Sequence, residues 1–201
     1  MKIAVVGATG NVGQRLCAEA LSRGHEVTAI ARKESDVLGS VKFVKADVLD
    51  DDAEKALSGH DAVIYSLRFN GFDFDKAIAA FRASDAPRLL IVGGAASLNA
   101  EPGGPALIDT PGFPEEVKTE AEPARQVLNR LKAEGASDWT FLSPSIMIGP
   151  GERTGKFRLG KDEVLKDAEG NSRISYEDFA VAMIDEVETP RHRGERFTVG
   201  Y

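Results

Sequence analysis

The sequence predicts an α/β fold built on a doubly wound parallel sheet, and three observations support that prediction. Short apolar runs alternate with segments of helical period through most of the chain. A glycine-rich turn joins the first run, residues 3–6, to the first helical segment. Alternation of this kind places parallel strands in one layer with helices on both faces. The length of 201 residues suits a single domain, with residues 150–201 as a small C-terminal appendage on the substrate side.

Composition and charge exclude several classes of protein. The net charge of −7 argues against nucleic acid as the main partner, because phosphate binding needs a basic face. No run approaches the roughly 18 apolar residues of a membrane span, and no signal sequence precedes the first strand. We therefore expect a cytoplasmic protein with no membrane contact. Cys17 lies on the apolar face of the first helix and is expected in the core, and the scattered His25, His60 and His192 predict no metal site.

The first thirteen residues, MKIAVVGATGNVG, contain the turn Gly7-x-x-Gly10-x-x-Gly13. Glycines at this spacing let backbone N–H groups approach a ligand phosphate that a Cβ would hold away. The N-terminus of the next helix adds unpaired donors and a partial positive charge, and Thr9 and Asn11 could cap its first turn. The motif predicts a dinucleotide pyrophosphate site made of Gly7, Ala8, Thr9, Gly10, Asn11, Val12 and Gly13. A turn that merely connects a strand to a helix is the structural alternative.

A basic pair, Arg32-Lys33, follows the second predicted strand, residues 27–31. In NAD-binding units this position, about 20 residues past the turn, carries an acidic residue that accepts bonds from the ribose 2′-OH. A guanidinium instead suits a 2′-phosphate, which favours NADP over NAD. A solvated basic pair at a strand end is the alternative. Asp47, after a third strand at residues 41–46, could contact an adenine amino group or cap its own turn.

Periodicity places the remaining elements. Further strands are predicted at 61–65, 88–92, 139–142 and 195–199, and further helices at 73–84, 115–134 and 176–187, with an acidic helix start at 50–52. Gly24 and Gly135 are expected to end helices, and Ser175 to cap one. Residues 99–114 are rich in proline and glycine and form either a mobile flap over a bound cofactor or a poorly ordered surface loop. The basic stretch 153–166 is expected at the substrate-side rim.

These features resemble the atypical short-chain dehydrogenase/reductase superfamily, and most nearly its NADH-flavin reductase-like group, which is similar to biliverdin reductase B and NmrA-type proteins. The likeness covers essentially the whole chain. It is carried by GATGNVG at 7–13, Ala31-Arg32, Asp47-Val48, DWTFLSPS at 138–145 with PGERTG at 150–155, and GNSRISYEDFA at 170–180. The resemblance implies a Rossmann-like fold, a nicotinamide dinucleotide, and a flat small-molecule acceptor such as FMN, FAD, a quinone or a bilin.

The resemblance also implies roles by position. Residues 7–13 would bind the pyrophosphate, Arg32 the 2′-phosphate, and Asp47 and Val48 the adenine. The nicotinamide half would be lined by Ser66, Leu67, Ala95 to Ser97, and Pro144 to Ile146.

One departure from the superfamily pattern is visible, because the catalytic Tyr-x-x-x-Lys pair is absent. The chain has three tyrosines, Tyr65, Tyr176 and Tyr201. The position four residues later is Phe69 for the first, Ala180 for the second, and beyond the last residue for the third. Lys118 looks like the lysine of the pattern, but Pro114 occupies the tyrosine position. Lys118 could bind ribose or be a solvated helix residue. Reducing a ketone benefits from a positioned acid, whereas an oxidised flavin delocalises the incoming charge, so the missing pair disfavours alcohol–ketone and epimerase chemistry.

Two functions from different classes remain open. The first is an NADPH-dependent reductase that transfers hydride directly to free flavin or a similar aromatic acceptor, with Ser97, Ser143, Ser145 and Lys118 as candidate catalytic groups. The second is a non-catalytic NADP-binding sensor whose 99–114 loop meets a protein partner. A domain that no longer binds a dinucleotide is the third alternative, which the intact glycines disfavour. A monomer and a homodimer are both compatible with the sequence.

Overall fold

The computed structural model describes residues 1–34 and 41–201. Its strands are β1 (Lys2–Val6), β2 (Glu26–Ala31), β3 (Lys42–Lys45), β4 (Ala62–Tyr65), β5 (Leu89–Val92), β6 (Trp139–Pro144), β7 (Met147–Gly149), β8 (Arg158–Gly160), β9 (Arg173–Ser175) and β10 (Glu195–Gly200). Its α-helices are α1 (Asn11–Ser22), α2 (Glu54–Leu57), α3 (Phe74–Ala83), α4 (Glu115–Glu134) and α5 (Tyr176–Glu188).

Eight of these strands form the main sheet, in the order β3-β2-β1-β4-β5-β6-β10-β8. All neighbours pair in parallel except β8, which runs antiparallel to β10. β1 lies between β2 and β4, so the chain order of the strands reverses there. Open parallel sheets bind ligands at such a reversal, beyond the carboxyl ends of the strands. The predicted Rossmann-like fold class is confirmed.

Two apolar layers cover the sheet. Leu16 and Cys17 of α1 and Phe179 of α5 belong to the cluster on one face, and α1 packs directly on α5. α2, α3 and α4 belong to the cluster on the other face, with Phe81 and Leu128 among its members. Burial raises the pKa of the Cys17 thiol to about 12, which agrees with its expected place in the core.

Residues 150–201 are integrated into the domain more closely than an appendage would be. β10 extends the main sheet beside β6, and α5 completes one of the helical layers. Only the short pair β7 and β9 forms a separate two-stranded sheet. Three-residue strands carry too little periodicity to be predicted, so β7, β8 and β9 were missed.

Several predicted helix boundaries are confirmed by their end residues. Gly24 and Gly135 have φ of +80° and +67°, a conformation that favours glycine and ends a helix. The Ser175 hydroxyl accepts the Asp178 N–H at the start of α5. The acidic run at residues 50–52 instead forms turns, and the short α2 begins only at Glu54.

The segment 99–114 has defined local structure. Leu107 N–H donates to the Leu98 carbonyl (2.8 Å), and Asn99 N–H donates to the Asp162 carbonyl (2.7 Å). Arg125 of α4 pairs with Asp109 at 2.7 Å. These contacts fasten the segment to α4 and to the chain after β8, which does not fit the expectation of a poorly ordered surface loop.

Candidate functional site

A cleft of about 790 Å³ opens at the carboxyl ends of β1 to β4, where the strand order reverses. It brings together residues that are far apart in sequence. Those predicted from the sequence are Gly7, Thr9, Gly10, Arg32, Asp47, Val48, Ser66 and Leu67. Others that line it are Lys33, Arg68, Asn70, Gly71 and Phe72. No residue of the 99–114 segment lines this cleft, so the structure gives no support to that segment as its flap.

The three glycines of the first turn have different physical reasons to be glycine. Gly7 has φ of +78°, and a Cβ on it would stand 2.1 Å from the Ser66 carbonyl oxygen. A Cβ on Gly13 would stand 2.3 Å from the Gly7 carbonyl oxygen, so close packing of helix on strand requires both residues. At Gly10 φ is −75°, and among the described residues a Cβ would meet only that same oxygen, at 3.3 Å. The fold alone does not require Gly10, whereas a phosphate lying against its backbone would.

The start of α1 leaves donors available for an anion. Gly10 is the N-cap, and no side chain of residues 1–34 and 41–201 makes a capping hydrogen bond there, so the expectation that Thr9 or Asn11 caps the helix is wrong. The first-turn N–H groups of a helix have no intrahelical acceptor, and they carry the positive end of the helix dipole. An uncapped helix N-terminus beside an open glycine fits a dinucleotide pyrophosphate.

The lining of the cleft carries more cations than carboxylates, although the chain has a negative net charge. Arg32, Lys33 and Arg68 are exposed side chains on its lining, and Asp47 supplies the single carboxylate among the lining residues that the structure describes. The Asp47 carboxylate accepts the Leu49 N–H at 3.0 Å, so the turn-capping alternative is observed, and the carboxylate still borders the cleft. The charge excess suits a phosphorylated ribose.

The wall formed by residues 66–72 is held by a residue that the sequence analysis missed. Glu120 of α4 accepts the backbone N–H groups of Phe69 (2.6 Å) and Asn70 (3.1 Å). The Phe69 ring stacks on Phe74 with 4.4 Å between centroids. No sequence motif marks Glu120, because its partners are backbone groups about 50 residues away, whereas Arg68 could have been found as a cation directly after a predicted strand.

The residues expected around the nicotinamide share one edge of the sheet but do not all line the cleft. β4, β5 and β6 are adjacent, so Ser66 and Ala95, which follow β4 and β5, and Pro144, the last residue of β6, lie at neighbouring carboxyl ends. Ala95 is half-buried in a short 3₁₀ turn, Pro144 is buried, and Ile146 is 45% exposed. The 790 Å³ cleft reaches this region only through Ser66 and Leu67.

The predicted orienting serines are placed differently from the expectation. Ser143 and Ser145 are fully buried, and the Ser145 hydroxyl donates to the Val199 carbonyl at 3.0 Å. The reason is that β6 continues to Pro144 and β10 pairs along it, which encloses both side chains. Neither side chain reaches the surface in this structure, which disfavours their assignment as candidate catalytic groups, and that assignment stays a prediction. Ser97 is half-buried, and its oxygen accepts from the buried Arg196 guanidinium at 3.3 Å.

The lysine and the tyrosines considered for catalysis also have defined partners. Lys118 is 40% exposed with Nζ 2.8 Å from Glu115, as expected of a solvated helix lysine. The buried Tyr65 hydroxyl donates to the Ala77 carbonyl (2.7 Å). The Tyr176 ring packs under Arg15. The Tyr201 hydroxyl donates to Asp178.

The basic stretch 153–166 is only partly free to form a substrate rim. Arg153 reaches back to α1 and binds Glu19 with a shortest distance of 2.6 Å, so this residue fastens two elements together. Within residues 1–34 and 41–201, no group of three or more His, Cys, Asp or Glu side chains is arranged to hold a metal ion. The same ranges contain no helix with the length and apolar character needed to cross a membrane.

Comparison with known proteins agrees with this geometry. The NAD(P)H-binding family matches residues 7–190. The chain is 41% identical to the protein YwnB of Bacillus subtilis, over 99% of this chain and 98% of that protein. Among solved structures, a proposed NADH-flavin reductase from Streptococcus pneumoniae is 35% identical over 100% of this chain and 99% of its own, with a TM-score of 0.87. A proposed epimerase from Bacteroides thetaiotaomicron is 40% identical over 100% and 96%, with a TM-score of 0.88. The chain therefore belongs to the NAD(P)H-binding family and is an atypical short-chain dehydrogenase/reductase-like protein.

Proposed function

We propose that this protein is an NADPH-dependent reductase that transfers hydride directly to free flavin or a similar flat aromatic acceptor. The observation that carries the proposal is the cleft itself, in which an uncapped helix N-terminus and an open Gly10 adjoin an excess of cations. Family membership supports an NAD(P)H-linked oxidoreductase. Our proposal adds that the acceptor is a flavin and that the cofactor is NADPH in preference to NADH.

Each part of the cleft has a role in this proposal. The backbone of residues 7–13 binds the pyrophosphate, and Arg32 with Lys33 binds the 2′-phosphate. Asp47 and the buried Val48 border the adenine. Bound NADPH supplies the hydride, and the protein fixes the position of the nicotinamide relative to the acceptor.

The acceptor class follows from what the sheet edge lacks. The hydroxyls of Tyr65 and Tyr201 donate to acceptors within the protein, and Ser143 and Ser145 are buried, which disfavours each of these groups as the proton donor to a ketone oxygen. A flavin ring delocalises the charge that arrives with hydride and can take its proton from water. The residues near the nicotinamide, including Ala95 and Ile146, have no ionisable side chain, which suits a role in positioning.

The proposal is tested by NADPH consumption in the presence and absence of FMN, with NADH in parallel. Flavin-dependent turnover that prefers NADPH is the expected result. Measurable NADPH binding without turnover on flavins, quinones or bilins would contradict it and favour the non-catalytic NADP-binding sensor.

A further inference from the structure

A second pocket, of about 630 Å³, lies on the C-terminal part of the chain and shares no lining residue with the first cleft. Its floor is the small sheet of β7 and β9, and its end wall is Tyr201. A strap, defined here as residues 150–156, forms the remaining wall. The proposed function gives this pocket no role.

Buried hydrogen bonds hold the strap in place. Asp178, which is fully buried, accepts the N–H groups of Thr154 (2.9 Å) and Gly155 (2.8 Å) and the Thr154 hydroxyl (2.6 Å). The Ser175 hydroxyl donates to the Glu152 carbonyl at 2.9 Å. A wall fixed in this way is already ordered before a ligand binds, so binding loses less conformational entropy than it would at a mobile wall.

The pocket presents apolar surface to solvent. Met147 is 68% exposed, the largest exposure among the exposed large apolar side chains of the described residues. Ile148 and Ile174 lie beside it. The Tyr201 ring is fixed because its hydroxyl is bound to Ser175 and Asp178. A flexible methionine and a rigid aromatic wall suit a flat aromatic ligand.

Two exposed cations complete the lining. The Arg173 guanidinium lies 5.6 Å from the centre of the Tyr201 ring, and Lys156 extends from the strap. Among the described lining residues, Glu152 carries the only acidic side chain, so the side chains of the pocket have an excess of positive charge. In a chain of net charge −7, such a site is complementary to an anionic group.

The pocket is linked to the start of the dinucleotide cleft. Gly151 N–H of the strap donates to Glu177 (2.9 Å), and Glu177 pairs with Arg15 (3.0 Å). Arg15 also donates to the Asn11 carbonyl, in the first turn of α1. On its other side, β7 follows the carboxyl end of β6, which borders the expected nicotinamide position. An acceptor could therefore extend from the nicotinamide into this pocket.

We propose that the pocket binds the anionic part of the acceptor, so the acceptor is a flat aromatic compound with a phosphate or similar anion, as in FMN. Neutral riboflavin would lack the contacts with Lys156 and Arg173. The role as acceptor site rests on the proposed reductase function, whereas preferential binding of the anionic flavin does not.

Binding of FMN and riboflavin to the full chain, measured by quenching of flavin fluorescence, tests this inference. We expect FMN to bind about tenfold more tightly than riboflavin, because riboflavin lacks the phosphate and so loses a charge-assisted hydrogen bond to the cations. Lys156→Ala combined with Arg173→Gln should remove that preference. Lys161→Ala, which removes an exposed cation outside the pocket lining, should keep it. Unchanged NADPH affinity in the double variant would show that its fold is intact.

Equal affinity of the wild-type chain for both flavins, or a preference that survives in the double variant, would overturn the inference. NADPH turnover on the same preparations separates it from the proposed function. Preferential FMN binding without turnover would keep the anion site and refute the reductase. Turnover with equal affinity for FMN and riboflavin would keep the reductase and refute the anion site.

Discussion

Replacing Gly10 should separate dinucleotide binding from folding, and replacing Gly13 should not. A new Cβ at Gly10 stands 3.3 Å from the Gly7 carbonyl oxygen and meets nothing else, at an ordinary negative φ. Loss of glycine at an N-cap costs up to about 1 kcal/mol. For a chain of this size that lowers Tm by about 2–4 °C. The branched side chain of Gly10→Val would occupy the space in which we place the pyrophosphate.

Gly13→Ala is the matched comparison. Its Cβ would stand 2.3 Å from the same carbonyl oxygen, so helix and strand must move apart. Overpacking of this kind costs about 1–3 kcal/mol, partly offset by the better helix propensity of alanine, worth about 1 kcal/mol. We therefore expect Gly13→Ala to be at least as destabilised as Gly10→Val, although it adds a smaller side chain.

Thermal unfolding and an NADPH titration, monitored by fluorescence, measure the two effects. We expect Gly10→Val to remain folded and to lose at least about 100-fold in NADPH affinity, or roughly 2.7 kcal/mol. Tight NADPH binding by folded Gly10→Val would refute the assignment of the turn. Unfolding of Gly10→Val at room temperature would refute the statement that the fold does not need this glycine.

Three further predictions concern other parts of the molecule. Arg32→Asp should lower the ratio of NADPH to NADH affinity by at least about tenfold, because it replaces a phosphate-binding cation with a carboxylate. An unchanged ratio of the two dissociation constants would refute the assignment of Arg32 to the 2′-phosphate site. Glu120→Gln should weaken NADPH binding by about three- to tenfold with little change in Tm, because only the wall at residues 66–72 loses its charged acceptor. Equal NADPH dissociation constants for variant and wild type would show that this wall does not contact the cofactor. The hydrogen bond from Arg153 holds the pKa of the Glu19 carboxyl below its usual value, so its contribution to stability is present above the unfolded pKa of about 4.5 and is lost as pH falls through the lower folded pKa. Below pH 4.5, the unfolding free energy of Glu19→Gln should therefore fall less steeply with decreasing pH than that of the wild type. Equal slopes for the two proteins over this range would contradict the role given to Glu19.

The sequence predicted those parts of the fold that depend on local pattern. α4 begins and ends at the expected residues, 115 and 134, because its apolar period is long and Gly135 supplies a left-handed end. The reversal of strand order at β1 agrees with the doubly wound sheet that the alternating pattern predicts. Gly7, Gly10 and Arg32 could be assigned to one cleft because parallel strands end at a common edge.

The parts that sequence did not predict depend on contacts between distant residues. The burial of Ser143 and Ser145 depends on the pairing of β6 with β10, about 55 positions further along the chain. The ion pair of Arg153 with Glu19 of α1 could not be predicted, because the two residues lie 134 positions apart in the chain. Glu120 had no recognisable motif, since it binds backbone N–H groups rather than side chains. Contacts between distant segments of the chain determine the positions of such residues, and no local periodicity in the sequence predicts those contacts.

The absorbance of reduced nicotinamide over time, with purified protein, NADPH and FMN, tests directly whether this protein is a flavin reductase. We predict NADPH oxidation that requires both protein and FMN, that is slower with NADH, and that is lost in Gly10→Val. NADPH that binds and is not oxidised in the presence of FMN, riboflavin, quinone or bilin would contradict it.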